Sequence, residues 1–372
     1  MKRYQIELSI LKKNILHISP DFNYSCGRSK HVHTLLTSED LNKKFNLYFI
    51  TNRGDALIKL DKAGVKYTIE SFETDKIFNY DLIKDLKWLR KFCLEKNIDI
   101  IHSHHRYPEY LSNFVKKSLR IKTVATVHNF VNGLKYFSYK SNLIIAISNA
   151  VSNHLFNYFK ISTAKLIVLY NCVKKGSNLL EHKEKIKEKF GIPQNKKILL
   201  YAGRFSKEKG IDILLNSEKM LAKINYNILL IMVGSSGDKI MLNENAMDLE
   251  RIRVFSPREN IDEFFSIADV VILPSLQEGL GYIMLEAGLN KVPFIGSRTG
   301  GVAEFIEDGV NGYLFESGNS NDLTAKIKFV LDHPDAAQNS ALELNEKVAR
   351  LCNCTDYFQK LTDIYHHLLA EI

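Results

Sequence analysis

The chain has 372 residues, room for two domains of roughly 150 to 200 residues each, and its 45% hydrophobic and 25% charged content excludes a disordered or fibrous protein. Its net charge of +9 divides unevenly, with +15 on residues 1–175 and −6 on residues 176–372. No apolar run approaches the roughly 18 residues of a membrane-spanning helix, and five scattered cysteines without metal-ligand spacing read as reduced thiols rather than a disulfide framework.

The opening MKRYQIELSILKK lacks the long apolar centre and small-residue cleavage site of a secretory signal, so a cytoplasmic location is expected. Short apolar runs then recur: NILHIS at 14, LYFIT at 47, IDIIHS at 98, TVATVH at 123, LIIAIS at 143 and KLIVLY at 165. Their length and continuity predict buried parallel strands. Between them, Leu82, Leu86, Leu89 and Cys93 keep helical spacing across 81–96. This is the βα alternation of a doubly wound sheet.

From Tyr110 to Lys175 there is no carboxylate, and the basic residues are interleaved with aromatic ones. Lys116, Lys117, Arg120 and Lys122 form the densest cluster, and Lys135, Tyr136, Phe137 and Lys140 mix charge with rings. The combination suits an anionic surface such as a membrane face; dispersed solvating lysines and core aromatics are the alternative. No recognisable nucleic-acid-binding motif accompanies the charge.

A polar stretch, Lys174-Lys175-Gly176-Ser177-Asn178, ends the first predicted domain at residue 175. The strand pattern restarts with KILLYAG at 197, NILLIMVG at 227, RIRVFS at 251, DVVILPS at 269 and VPFIGS at 292, giving a second domain over 176–354. In the last segment, 355–372, Phe358, Leu361, Ile364, Tyr365 and Leu368 share one stripe and predict a helix packed back, onto the first domain. The expected fold is α/β, with two Rossmann-like doubly wound parallel sheets facing each other across a cleft.

In such sheets ligands bind beyond the carboxyl ends of the strands. Gly203 and Gly234 fall at two such ends, and Arg204 and Lys209 flank a turn leading into a helix near Gly210. A guanidinium and an ammonium beside a helix N-terminus form a receptor for a diphosphate, although an isolated pair of this kind is more often a solvated loop. Further on, Glu278 lies in a Gly-rich loop with Gly279, Leu280 and Gly281, and Glu286 falls about a turn and a half into the helix expected to follow. One carboxylate can grip sugar hydroxyls and the other those of a ribose.

On GRFSKEKG at 203, LPSLQEGLG at 273, TGGVAEFIEDGVNGYLF at 299 and the E-x7-E spacing of Glu278 and Glu286, the chain resembles the glycosyltransferases of family four. Looser matches, DIIHSHH at 99, TVHN at 126, IIAISNAV at 144 and LYNCV at 169, extend the resemblance over nearly the whole chain. The resemblance implies a GT-B architecture and transfer, with retention of anomeric configuration, from a nucleotide diphosphate sugar, a UDP-sugar first among them, to a saccharide or lipid-linked acceptor. It implies that Arg204 and Lys209 hold the diphosphate, Glu286 the ribose, and Glu278 with the Gly279–Gly281 backbone the sugar, and that His128 touches the sugar near the reacting carbon. Gly27 stands where the family's N-terminal phosphate loop approaches the donor.

No cofactor or metal is expected. Glu73-Thr74-Asp75 is a near miss to an Asp-x-Asp, and His102, His104 and His105 form a histidine trio suggestive of a metal site. Two positions depart from the family: Cys26-Gly27 replaces a Gly-Gly pair, and Ser256-Pro257 follows RIRVF in place of a glycine. A nucleotide-sugar 2-epimerase and a non-catalytic nucleotide-sugar binder share the fold and remain alternatives.

Overall fold

The computed structural model describes residues 12–72, 81–174, 183–235, 250–257 and 261–370. The linker residues 175–178 and the Glu73-Thr74-Asp75 triplet lie outside them.

The first sheet holds β1 (Lys13–Ile18), β2 (Phe45–Thr51), β3 (Thr68–Ile69), β4 (Ile100–Ser103), β5 (Lys122–Val127), β6 (Leu143–Ala146) and β7 (Leu166–Val168). The second holds β8 (Lys197–Ala202), β9 (Ile228–Val233), β10 (Ile252–Phe255), β11 (Val270–Leu273), β12 (Phe294–Ser297) and β13 (Tyr313–Phe315). Their orders, β3-β2-β1-β4-β5-β6-β7 and β10-β9-β8-β11-β12-β13, are one pattern used twice, and the pairings are parallel. The order in which successive strands are added reverses between β1 and β4, and again between β8 and β11. Those switch points open crevices at the strands' carboxyl ends.

The helices are α1 (Gly27–Leu36), α2 (Glu39–Lys44), α3 (Leu57–Lys62), α4 (Asp81–Glu95), α5 (Arg106–Leu119), α6 (Asn149–Phe159), α7 (Lys183–Lys189), α8 (Ile211–Lys223), α9 (Asp262–Ile267), α10 (Tyr282–Leu289), α11 (Gly300–Phe305), α12 (Ser320–Asp332), α13 (Pro334–Leu351) and α14 (Cys354–Ala370). Strand alternation divides the first lobe into two cores. Leu16, Ile18 and Ile101 face α4 and α5, whereas Ile15, Ile100, Val124 and Ile145 face Leu35 of α1 and the buried stripe of α14. That stripe is Tyr357, Phe358, Leu361, Tyr365 and Leu368.

The chain thus changes lobes twice. α13 lies on α10 in the second lobe, where a side chain at Gly288 would stand 2.8 Å from Val348. The chain then breaks at Cys352 and Asn353, and α14 covers the first sheet. The Cys-x-Cys is divided between these helices, and all cysteines are free. A shared core joins the lobes, with Val127, Ile147 and Val173 in one cluster with Leu280, Met284 and Phe305.

Between β5 and β6 no helix forms. Instead the chain 128–142 runs down the face between α5 and α6, tied by Glu109. The buried Glu109 carboxylate accepts from the amides of Tyr139, Lys140 and Ser141 at 2.7 to 3.0 Å.

Candidate active site

A cleft of about 1230 Å³ opens between the lobes at the switch points, lined by the loops after β1, β8 and β11 and by α1 and α10. In the second lobe, Tyr201 donates to the Arg204 carbonyl at 2.6 Å and fixes the turn after β8. Lys209 ends a short 3-10 turn and Gly210 follows at φ +67, where a Cβ would stand 1.9 Å from the Pro274 carbonyl oxygen. Only glycine permits that approach. It sets the N-terminus of α8 against the loop that carries Glu278.

Lys209 Nζ lies 2.8 Å from Glu278 Oε2, and Ser275 Oγ donates to the same oxygen at 3.1 Å. Arg204 is exposed to the cleft and makes no ion pair among the described residues. Glu286 is engaged from the other lobe: Lys30 Nζ of α1 reaches its two oxygens at 2.7 and 2.8 Å. Burial, reinforced by the Glu286 charge, raises the Asp262 carboxyl on the same wall.

The first lobe contributes Gly27, 3.4 Å by its would-be Cβ from Tyr282, and Arg28, which donates to Asp21 at 2.7 Å. His128 lines the cleft at the end of β5. Gly279 packs on its backbone so closely that a Cβ would lie 2.3 Å from the His128 carbonyl. Beneath His128 lies a group of buried imidazoles. His17 Nδ1 and His104 Nε2 are 3.0 Å apart, His102 bonds Tyr365 and Thr126, and His31 bonds Tyr357. Burial drives His17 and His31 down to about 3 and holds His102, His104 and His128 well below the usual imidazole range.

The structure brings Gly27, His128, Gly203, Arg204, Lys209, Gly234, Glu278 and Glu286 to one cleft from both lobes. It does not bring Gly279, Leu280 and Gly281 to the lining: Leu280 is in the shared core, and the Gly279 carbonyl accepts from Ser148 Oγ at 2.7 Å. These residues seal the lobes together behind Glu278. The histidine trio also differs from expectation. The converging nitrogens are those of His17, His102 and His104, and of His31, His104 and His128, while His105 caps α5 by accepting from the Tyr107 amide.

On the basic face, Lys116 is a structural residue. Its ammonium donates to the Lys140 carbonyl at 2.5 Å and burial brings it down to about 8. Lys117, Arg120, Tyr136 and Lys140 are exposed, and Lys122 and Lys135 are half-buried. Sequence reasoning missed Lys30, although it follows Gly27 by three residues and so shares its helical face. It also missed Asn171 in LYNCV, a buried cleft residue whose Oδ1 has no partner among the described residues.

Two family models match the chain in succession. Residues 31–175 match the one described as Glycosyltransferase Family 4, and residues 182–348 the one described as Glycosyl transferases group 1. An uncharacterised glycosyltransferase of Methanocaldococcus jannaschii is 30% identical over 269 residues, covering 68% of this chain and 71% of that one. The chain belongs to glycosyltransferase family four.

An N-acetyl-alpha-D-glucosaminyl L-malate synthase of Bacillus anthracis is 23% identical over 366 residues, 93% of this chain and 96% of its own. The fold is GT-B: the structure of HepE from Anabaena, solved in complex with UDP-glucose, superposes with a TM-score of 0.81 at 18% identity, covering 95% of this chain and 99% of that one. This family member is therefore a glycosyltransferase. No helix among its described residues is long and apolar enough to cross a membrane.

Proposed function

We propose that this glycosyltransferase is retaining and metal-independent, takes its sugar from a UDP-sugar, and delivers it to a saccharide or lipid-linked acceptor held by the first lobe. The observation that carries this reading is the convergence of Arg204, Lys209, Glu278 and Glu286 on one interlobe cleft. The UDP-glucose bound by HepE supports the choice of nucleotide.

The chemical difficulty is expulsion of a nucleotide diphosphate as the sugar carbon gains oxocarbenium character. Arg204, Lys209 and the N-terminus of α8 supply fixed positive charge for the leaving group, each such donor being worth on the order of 3 kcal/mol of barrier in comparable sites. Lys209 is held by Glu278 and Glu286 by Lys30. Donor binding exchanges these partners: Lys209 turns to the diphosphate, Glu278 to a sugar hydroxyl, and Glu286 to the ribose diol. The acceptor hydroxyl attacks from the leaving-group face and the departing phosphate takes its proton, so no side chain need form a covalent intermediate. Closure of the lobes excludes water and orients the reactants.

The test is a thermal-shift screen of UDP, GDP and ADP and their sugars, followed by NMR assignment of the product's anomeric configuration with and without EDTA. Stabilisation by UDP-sugars, retained configuration and EDTA-resistant turnover are expected. An inverted product, or turnover abolished by EDTA and restored by a divalent ion, would reject the mechanism. An epimer formed from donor alone would establish the isomerase instead.

A further inference from the structure

On the sheet face beneath the cleft, His17 of β1 lies opposite His102 of β4, His104 follows β4, and His31 projects from α1. The four are at most 2% exposed. The two converging trios contain imidazoles alone, and the Arg28 charge bears on His128. A dication here would lack an anionic ligand and face a guanidinium. Neutral, hydrogen-bonded rings are the arrangement that fits, and burial keeps all five neutral.

A neutral imidazole has one N–H and one bare nitrogen. His104 uses both: its Nε2 is 3.0 Å from His17 Nδ1, and its Nδ1 is 3.4 Å from His128 Nε2. If one nitrogen of His104 donates, the other must accept, so the two bonds point the same way along the row. His102 and His31 belong to separate branches that end on Tyr365, Thr126 and Tyr357. At the closed end of the row, His17 Nε2 is buried without a partner among the described residues. A row pointing to the cleft leaves a lone pair there; a row pointing inward leaves an N–H, and orphaned buried N–H groups are the rarer in proteins.

We propose that the row runs from His17 through His104 to His128 and fixes His128 as its Nδ1–H tautomer, with that N–H offered to the cleft as a hydrogen-bond donor. His17 and His104 are thus positioning residues, setting the protonation of His128 through the row. The inward lone pair of His128 is already engaged, so the ring grips an oxygen of the bound sugar and does not take a proton from the acceptor. This last step rests on the proposed donor site; the tautomer does not.

The experiment is two-bond ¹H–¹⁵N correlation NMR of the full-length protein with ¹⁵N-labelled histidine at neutral pH, with His128→Gln assigning the signal. The Nδ1–H pattern is expected in the wild type. His104→Leu should release His128 to the Nε2–H form that free histidine favours and raise the donor-sugar KM about tenfold, one lost hydrogen bond, with the Kd for free UDP unchanged. His104→Asn, equal in shape to Leu but able to donate from the Nδ1 position, should restore both. An Nε2–H or imidazolium His128 in the wild type, or one-to-one Zn²⁺ binding that shifts the His104 and His128 signals, would overturn the proposal, whether or not His104→Leu folds. If the Nδ1–H pattern holds while no nucleotide binds, the donor-site reading fails and the row stands.

Discussion

At the scale of single residues the cleft holds two ion pairs, Lys209–Glu278 and Lys30–Glu286, with Arg204 outside them, and the proposed mechanism gives Arg204, Lys209, Glu278 and Glu286 separable duties. Arg204→Ala and Lys209→Ala should each lower turnover by about a hundredfold or more, the size expected for one electrostatic stabiliser. Near-normal kcat in both would remove the diphosphate assignment. Glu286→Ala should chiefly weaken UDP binding measured by calorimetry, and Glu278→Ala should impair transfer with UDP still bound. Lys30→Ala should tighten UDP, because Glu286 no longer has to leave a bidentate partner at 2.7 and 2.8 Å; weaker binding would mean that Lys30 itself contacts the nucleotide. The buried rings make a different demand. In the unfolded chain they take a proton near pH 6.5, whereas His17 and His31 in the fold do so only at about 3. Below pH 6.5 the unfolded state binds the more protons, so stability falls with pH until about 3, each ring costing about 2 kcal/mol at pH 5. Urea unfolding at pH 7 and pH 5 measures this, and equal stabilities would contradict neutral buried rings.

At the scale of elements the sequence was most legible where one physical signal dominated. The apolar runs became parallel strands, and the helix predicted over 81–96 is α4, Asp81–Glu95. β3 was not legible because it is two residues of an edge, and β13 because its three buried residues sit inside a Gly-rich motif with no alternation. Periodicity also could not show that the β5–β6 crossover has no helix, since that depends on the buried Glu109 gathering three amides from thirty residues away. The same limit applies to the site. Arg204, Lys209, Glu278 and Glu286 were legible through local motifs, but Lys30 meets Glu286 across 256 residues, and the histidine row is assembled from β1 and the residues that follow β4 and β5. α14 was legible as a stripe, and its placement gives a prediction. Leu361→Ala removes a fully buried side chain from the core shared with Ile15 and Val124 and should cost about 2 to 5 kcal/mol. The single tryptophan, Trp88 on α4, reports first-lobe unfolding. Its denaturation midpoint should drop in Leu361→Ala, and an unmoved transition would detach α14 from that lobe's stability.

At the scale of the whole molecule the charge asymmetry acquires a direction. α14, with Asp356 and Asp363, covers the sheet face of Ile15 and Val124, while α5 and the 128–142 segment lie over the opposite face, that of Leu16 and Ile101. That opposite face is where exposed rings gather: Phe114 on α5, Tyr136 at 80% exposure, Phe137, and Phe156 on α6. Among them stand the exposed Lys117, Arg120, Lys140 and Lys160, and the only carboxylate of α5, Glu109, is buried. Rings that insert at an interface beside cations that attract anionic headgroups are the composition of a peripheral membrane surface, each Lys or Arg near the surface contributing about 1 kcal/mol. A lobe so held would meet a lipid-linked acceptor at the bilayer and leave the second lobe, with its net negative charge, free to close on the donor. Flotation with phosphatidylglycerol vesicles should therefore capture the enzyme, phosphatidylcholine vesicles should not, and added salt should release it, because screening shortens the reach of the charges. Lys117→Glu with Lys140→Glu should weaken capture, and Tyr136→Ser should weaken it even at low salt. Lys116 is the wrong residue to change, since its ammonium ties α5 to the Lys140 carbonyl and its loss would disturb the face itself. Capture that ignores lipid charge and survives both variants would assign the basic face to solubility or to an anionic saccharide.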